Sequence, residues 1–148
     1  MFDSDIDNWE QHYSVFDSII LNKQNLIFLI ETEDNIKFGG FISSKIDKIG
    51  EWISDENSFV FTFKDNNPMK FDIKKDKKDH AFRLYNKSYD YLFRIGNNDI
   101  FIRKQNKKST INQEDYSSFN YQGIKNALIG ETGSGCFSPK RIMVFQMK

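Results

Sequence analysis

Two stretches decide the fold: Ser58-Phe59-Val60-Phe61-Thr62-Phe63 and Met69-Lys70-Phe71-Asp72-Ile73. In the second, apolar side chains alternate with charged ones. In the first, the aromatic rings alternate with Val60 and Thr62. A period of two is that of a β-strand, whose successive side chains point to opposite faces. Aromatic and β-branched residues are also enriched in strands. Both stretches therefore predict short strands, and the second is typical of a half-buried one.

The same period recurs along most of the chain. Further strands are predicted over residues 26–30, 35–42, 82–85, 91–95, 100–102 and 142–147. The first of these is apolar on both faces, as expected of a strand that is covered on both sides. Gly96-Asn97-Asn98-Asp99 predicts a hairpin, because Gly and Asn supply the positive φ that tight turns need. About eight short strands without regular strand–helix alternation predict a mainly β (α+β) fold, a two-sheet antiparallel β-sandwich with flanking short helices.

Two segments have a helical period. Trp9, Tyr13, Phe16 and Ile20 recur at helical spacing, and Asp7 is suitably placed as the N-cap of a helix that Asn22 would end. Residues 45–53 predict a second, short helix that Gly50 weakens. Residues 104–120 are polar and predict a loop.

Composition limits the possible functions. The chain has 148 residues, 39% hydrophobic and 28% charged, and its 21 basic and 21 acidic residues cancel. This size predicts one domain, residues 1–148. Zero net charge argues against a nucleic-acid partner, whose binding depends on neutralising phosphates. A single cysteine fits a reducing cytoplasmic compartment. We expect no targeting signal, and no apolar run is long enough to span a membrane.

Two loops resemble ligand sites. Asp3, Asp5 and Asp7 have the spacing of calcium ligands. However, Asn8 and Ser14 occupy the positions that need Gly and a bidentate Glu, so a solvated turn is favoured. Residues 130–135 are glycine-rich but lack the Gly-Lys-Ser/Thr ending of a phosphate-binding loop and precede a strand. We expect a plain connection there, with no cofactor.

Catalytic and lipid-binding hypotheses are weaker still. Cys136 is the only thiol, and neither His12 nor His80 is placed by a local motif to activate it. Two histidines and one cysteine also make a zinc site improbable. The basic run 74–78 and the cluster Lys104, Lys107 and Lys108 predict solvated loops, with contact to anionic lipid headgroups or to an acidic partner surface as the alternative. No residue is predicted to be catalytic, cofactor-binding or metal-binding.

Short motifs in order along the chain resemble the TLDc domain family. Lys37-Phe38-Gly39-Gly40-Phe41 is similar to the family's FGG/FGA signature, and the stretch that begins at Ser58 is similar to a strand that follows it. The other matching stretches are Leu92-Phe93-Arg94-Ile95-Gly96, Asp99-Ile100-Phe101-Ile102, Asn126-Ala127-Leu128, Phe137, Lys140-Arg141-Ile142-Met143-Val144-Phe145 and the entry segment Met1-Phe2-Asp3-Ser4 with Asp7. The paired glycines also suggest a bulge or a close backbone approach.

The resemblance implies an antiparallel two-sheet sandwich flanked by helices. It further implies a role in resistance to oxidative stress and, for several members, binding to the vacuolar proton pump (V-ATPase). The family has no established catalytic residues to carry over. Relative to the family this is a shortened version, with Asn8 where glycine is usual and Val144-Phe145 where Glu-Trp is common.

The resulting expectation is a non-catalytic protein-interaction domain in the cytoplasm, with a V-ATPase subunit as a possible partner. The alternatives are a Cys136-dependent redox or hydrolytic enzyme and a peripheral binder of anionic lipid that uses the lysine-rich loops.

Overall fold

A computed structural model describes residues 1–112, 117–130 and 135–148 of the chain. The strands are β1 (Phe2–Asp3), β2 (Leu26–Thr32), β3 (Lys37–Ile42), β4 (Trp52–Ile53), β5 (Phe59–Thr62), β6 (Met69–Asp72), β7 (Phe82–Leu84), β8 (Tyr91–Ile95), β9 (Ile100–Arg103), β10 (Ser109–Ile111), β11 (Cys136–Phe137) and β12 (Pro139–Gln146). The helical elements are the α-helix α1 (Phe16–Ile20) and two 3-10 helices, Lys64–Asn66 and Lys75–His80. The helices are short, so the fold is mainly β.

The strands form two six-stranded sheets. Sheet 1 has the order β1-β12-β2-β3-β5-β6, and sheet 2 has the order β11-β10-β9-β8-β7-β4. The pairings within both sheets are antiparallel. The predicted two-sheet antiparallel β-sandwich is therefore confirmed. The predicted hairpin is also confirmed, since Ile95 pairs with Ile100 and Gly96 adopts a φ of 70°.

A cluster of phenylalanine rings lies in the core between the sheets. Phe28 of β2 lies 4.9 Å from Phe82 and 5.0 Å from Phe93, measured between ring centroids. Phe16 of α1 stacks on Phe93 at 5.3 Å and meets Phe2 edge-on at 4.9 Å. All five rings are almost fully buried. Edge-to-face and offset ring pairs are favourable beyond their burial, so this cluster ties the two sheets and the helix together.

The paired glycines mark two close approaches, as the sequence suggests. A Cβ added to Gly39 would lie 1.7 Å from the carbonyl oxygen of Phe28 on the neighbouring strand β2. A Cβ on Gly40 would point the other way, 2.9 Å from Cδ1 of Ile95 on sheet 2. Gly39 therefore brings two strands of sheet 1 together, and Gly40 brings the two sheets together.

The predicted first helix is mostly absent. Only Phe16–Ile20 is helical, and Tyr13 is exposed. His12 has a φ of 74°, which an α-helix does not tolerate. Asp7 accepts a hydrogen bond from the backbone N–H of Asp3 and does not cap the helix. Trp9, Phe16 and Ile20 are buried, as their spacing predicts, but turns and not a helix connect Trp9 to Phe16.

Three further expectations are wrong in whole or in part. Residues 45–51 form no helix, since the backbone N–H of Ile46 donates to Lys23 and Gly50 has a φ of 80°. The predicted loop 104–120 contains strand β10, which pairs with β9 and β11, while its residues 113–116 lie outside the described part of the chain. The strand β2 is also covered on one face only, because Ile27 and Leu29 stay half-buried.

Candidate functional site

The outer face of sheet 1 is apolar. The strand register places Phe145, Ile27, Phe41 and Phe59 side by side across β12, β2, β3 and β5. The next row along the strands contains Met143, Leu29, Gly39 and Phe61. Phe63 continues the column of β5. We call these nine residues the sheet-1 apolar face.

Solvent reaches much of the sheet-1 apolar face. Phe63 is 47% exposed and Phe145 is 45% exposed. The rings of Phe41 and Phe59 lie 5.1 Å apart and remain half-buried. On β5 the buried residues are Val60 and Thr62, so the phenylalanines of the stretch that decides the fold point away from the core. A contiguous exposed patch of this kind, unlike scattered apolar residues, marks an interaction site.

Ion pairs that carry both signs border the sheet-1 apolar face. Lys70 and Asp72 are 3.4 Å apart on β6, and the ammonium of Lys70 lies 4.4 Å from the ring centroid of Phe59. Lys140 lies 3.4 Å from Glu31 at the other end of the face. Exposed pairs such as these add little stability. Their effect is to leave the border polar and nearly neutral.

The acidic residues near the N-terminus belong to this border. Asp3 accepts hydrogen bonds from the guanidinium of Arg141, which also lies 3.2 Å from Asp5. The hydrogen bond from Arg141 is the largest cause that lowers the pKa of Asp3 to about 2. The arrangement is that of carboxylates neutralised by an arginine. Within the described ranges, no group of three His, Cys, Asp or Glu residues has the geometry to hold a metal ion.

The structure separates the residues of the catalytic hypothesis. Cys136 is half-buried on β11, at one edge of sheet 2. His80 ends a 3-10 helix beside Trp52, at a ring-centroid distance of 5.0 Å, on β4 at the opposite edge. Five strand spacings of about 4.8 Å separate these edges. His12 is fixed elsewhere, where its backbone N–H donates to Lys87. The thiol and His80 are therefore too far apart to act as a pair.

One of the two lysine clusters does not exist as a surface feature. Lys104 is 1% exposed, and Lys107 forms an ion pair with Asp90 at 2.8 Å. Only Lys108 of this cluster is exposed. The run 74–78 lies largely in a 3-10 helix that also carries Asp76 and Asp79. The lipid hypothesis therefore loses the buried Lys104, while the largely exposed run 74–78 remains with acidic residues beside its lysines.

Lys104 has a structural role that the sequence did not reveal. Its ammonium donates to the carbonyl oxygens of Asn86, Tyr89 and Tyr91 at 3.0, 2.6 and 2.7 Å. It thereby fixes the turn between β7 and β8. Burial lowers its pKa from the usual 10.5 to about 8, although Asp17 and Asp90 partly oppose this change.

We expect the Nζ group of Lys104 to titrate near pH 8 in the folded chain. The measurement is an NMR titration of the lysine Cε–Hε signals, with the Lys104 signal assigned by its loss in Lys104→Met. The same titration in urea is the control, because unfolding returns the ammonium to water. A folded-state midpoint at the usual 10.5 would contradict the assignment of Lys104 to a buried position.

A second buried polar group anchors the segment 117–121. Asp99 is fully buried and accepts hydrogen bonds from the backbone N–H groups of Ser118 and Phe119 and from the hydroxyl of Tyr121. Burial raises its pKa, while the three donors act in the opposite direction. Burial, followed by the nearby charge of Asp99, also raises the pKa of Tyr121. This acid holds the segment 117–121 from inside the fold.

A shallow groove of about 700 Å³ lies between residues 12–18 and 86–88. Its polar groups are used locally, since Asp17 accepts from the backbone N–H of Lys87 and Asn86 accepts from Ser88. Of the glycine-rich stretch 130–135, residues 131–134 lie outside the described part of the chain. Across the described ranges, no helix is long and apolar enough to cross a membrane.

Comparison with known families and proteins gives two results. The family model of the TLDc domain matches residues 2–147 of the 148-residue chain. No curated protein matches the chain.

Proposed function

The chain belongs to the TLDc domain family, and from that premise we propose that it is a non-catalytic protein-interaction domain that docks its partner on the sheet-1 apolar face. The observation that carries the proposal is the contiguous row of Phe145, Ile27, Phe41 and Phe59. Phe145 is exposed and the other three are half-buried, on the outer face of a sheet whose other face already forms the core. Burial of this row against a partner would remove apolar surface from water, which is the main favourable contribution to association.

The chemistry of the face favours a protein over a membrane. Aromatic residues and methionine are enriched at the centre of protein interfaces, where charged residues are depleted and around which the rim is polar. The sheet-1 apolar face has this composition, with the pairs Lys70–Asp72 and Lys140–Glu31 at its rim. Binding to anionic lipid needs an excess of basic residues beside the apolar surface. The rim is nearly neutral and lacks that excess.

We also propose a specific partner protein and a cellular compartment. Membership of the family implies a role in resistance to oxidative stress and, for several members, binding to the vacuolar proton pump. We propose that residues 1–148 form one domain that acts in the cytoplasm and that a subunit of the cytosolic sector of this pump occupies the face. The partner surface would be apolar and uncharged at its centre, to match Phe41, Phe59 and Leu29.

We expect Phe59→Ser and Phe145→Ser to weaken binding to the purified cytosolic sector of the pump by about 10-fold each. Loss of a buried aromatic contact at the centre of an interface costs about 1–2 kcal/mol or more. The measurement is biolayer interferometry with the immobilised full chain. Tyr13→Ser is the matched control, because Tyr13 is 71% exposed and lies outside the face.

The outcomes of this experiment test the identity of the partner and the position of the docking surface separately. No binding by the wild-type chain would contradict the pump as partner. Binding by the wild type that Phe59→Ser leaves unchanged would contradict the face as the docking surface. Circular dichroism of both variants checks that their sheets remain intact, as expected for side chains that point away from the core.

A further inference from the structure

The outer face of sheet 2 carries arginines and aromatic rings in alternation. The register places Trp52, Arg83, Arg94 and Phe101 side by side across β4, β7, β8 and β9. Arg103 lies two residues further along β9, paired with Tyr91 on β8. Together with Tyr85, these residues form what we call the arginine–aromatic face. It points away from the sheet-1 apolar face, because the two sheets pack through their inner sides.

Each guanidinium of the face lies against a ring. The guanidinium carbon of Arg94 is 4.0 Å from the ring centroid of Phe101, and that of Arg103 is 5.1 Å from the ring of Tyr91. Arg83 lies between Tyr85 at 5.3 Å and Trp52 at 5.8 Å. Stacking on a ring engages the flat side of a guanidinium. The N–H groups at its edge are left to bind something else.

Among the described residues, few groups accept hydrogen bonds from these N–H groups. Arg94 makes one hydrogen bond, to the carbonyl oxygen of Asn97, and Arg103 makes one to the hydroxyl of Tyr91. The Nε atoms of Arg83 and Arg94 are buried and have no hydrogen-bond partner in the part of the chain that the structure describes. Buried donors of this kind are rare in folded proteins and call for an explanation.

The positive charges of Arg83 and Arg94 have no acidic partner among the described residues. Arg103 differs, because Asp90 lies near it: the pKa of Asp90 is lowered first by the hydrogen bond from Lys107 and also by the charge of Arg103. Arg83 and Arg94 are direct cross-strand neighbours, an unfavourable arrangement for like charges. Burial lowers the pKa of Arg94, and the charge of Arg83 lowers it further, opposed by Tyr85 and Tyr91. An anion bound between these two arginines would relieve the repulsion.

We propose that the arginine–aromatic face binds an acidic peptide segment of a partner protein, with Asp or Glu carboxylates received by Arg83 and Arg94. A carboxylate accepts two parallel hydrogen bonds from a guanidinium, in the plane of the group. When the flat side of a guanidinium lies against a ring, the N–H groups in its plane are the ones left to bind a carboxylate. The surface is separate from the sheet-1 apolar face, so either proposal can fail without the other.

Other polyanions fit this face less well than a carboxylate. Single-stranded nucleic acid binds by stacking its bases on open aromatic rings. Here guanidinium groups already cover the rings of Phe101, Tyr91 and Trp52. Nucleic acids and lipid surfaces also require a broad basic field, whereas the whole chain has no net charge.

Trp52 provides the signal for the test. The only other tryptophan, Trp9, is buried in the core, so Trp9→Phe leaves emission from Trp52 alone. The probe is hexaglutamate, titrated into this variant of the full chain while Trp52 fluorescence is recorded. Hexaglutamine is the neutral control. We expect a saturable change with hexaglutamate that weakens as salt is raised, and no saturable change with hexaglutamine.

Variants identify the groups that bind. We expect Arg83→Gln and Arg94→Gln each to weaken hexaglutamate binding by about 10-fold, the loss typical of a charged hydrogen bond. Arg94→Lys keeps the charge but loses the planar fork, and it should bind less tightly than the wild type and more tightly than Arg94→Gln. Lys75→Gln, in the other basic segment, is the control and should bind as the wild type does.

Three results would overturn the proposal. One is the absence of a saturable Trp52 response to hexaglutamate. Another is an equal loss of binding in Lys75→Gln and Arg94→Gln, which would indicate non-specific charge attraction. The third is tighter binding of oligouridylate or of phosphatidylserine vesicles than of hexaglutamate, which would assign the face to RNA or to a membrane. If Arg94→Gln does not fold, Arg94→Lys is compared with the wild type instead, and equally tight hexaglutamate binding by the two would overturn the role of the planar guanidinium.

Discussion

Gly39→Ala is expected to unfold the protein or to destabilise it by more than about 3 kcal/mol, beyond the usual cost of overpacking a core. The added methyl group would lie 1.7 Å from the carbonyl oxygen of Phe28 and 3.1 Å from the ring of Phe61. Both the oxygen and the glycine belong to paired strands, β2 and β3, in the middle of sheet 1. Neither can retreat without breaking the ladder between those strands. Urea denaturation followed by circular dichroism measures the loss.

Gly40→Ala is the matched control for this prediction. Its nearest contact is Cδ1 of Ile95 at 2.9 Å, at the end of a side chain that can rotate. We expect a cost of about 1–2 kcal/mol, within the ordinary range for a slightly overfilled core. Equal stability of Gly39→Ala and the wild type, or a greater loss in Gly40→Ala, would contradict the strand pairing described here.

Asp99→Ala should lower the free energy of unfolding by about 3–5 kcal/mol, because it leaves buried donors unpaired. The donors are the backbone N–H groups of Ser118 and Phe119 and the hydroxyl of Tyr121. For a chain of this length the melting temperature should fall by roughly 10–15 °C. Differential scanning calorimetry measures the change. A fall of only a few degrees would show that the segment 117–121 does not depend on this carboxylate.

Asp99→Asn is the conservative comparison. Because an amide does not titrate, the difference in stability between this variant and the wild type reports the pH dependence that Asp99 causes. The raised pKa of Asp99 means that the folded chain holds this proton at pH values where the unfolded chain has released it. The stabilisation that comes from this raised pKa is therefore fully present in the free energy of unfolding below the usual pKa of 3.8. It is lost as the pH rises through the folded-state pKa. Upward from pH 4, the stability of the wild type should fall relative to that of Asp99→Asn. An opposite slope would contradict the raised pKa.

The strands could be predicted from the sequence because period-two alternation depends only on local order. Met69, Phe71 and Ile73 alternate with charged residues, and the strand β6 lies where they predict it. The direction of a strand is harder to predict when both of its faces are apolar. On β5 the phenylalanines lie outward and Val60 and Thr62 lie inward. Their pattern alone gives no preference for either face, so the sheet-1 apolar face needed the structure.

The prediction of the first helix was wrong because the spacing of apolar residues indicates which side chains are buried. It does not indicate the backbone conformation between them. Trp9 and Phe16 are both buried, yet a turn with His12 at a φ of 74° separates them. A positive φ at histidine has no local sequence signal as strong as that of glycine.

The polar anchors of the fold depend on contacts between distant parts of the chain, so no local sequence pattern predicts them. Asp99 binds residues about 20 positions away, and Lys104 binds carbonyl groups of a turn 13 to 18 positions earlier. In the sequence, Lys104 resembles any solvated lysine next to Lys107. The arginine–aromatic face arises in the same way, because it appears only when β4, β7, β8 and β9 are aligned.

Photo-crosslinking from the sheet-1 apolar face tests the central claim most directly. Benzoylphenylalanine replaces Phe59 in one sample of the full chain and Tyr13 in the control, and each is irradiated with the cytosolic sector of the vacuolar proton pump. We expect a crosslink to one pump subunit from position 59 and none from position 13. A crosslink from position 13 with none from position 59 would contradict this expectation.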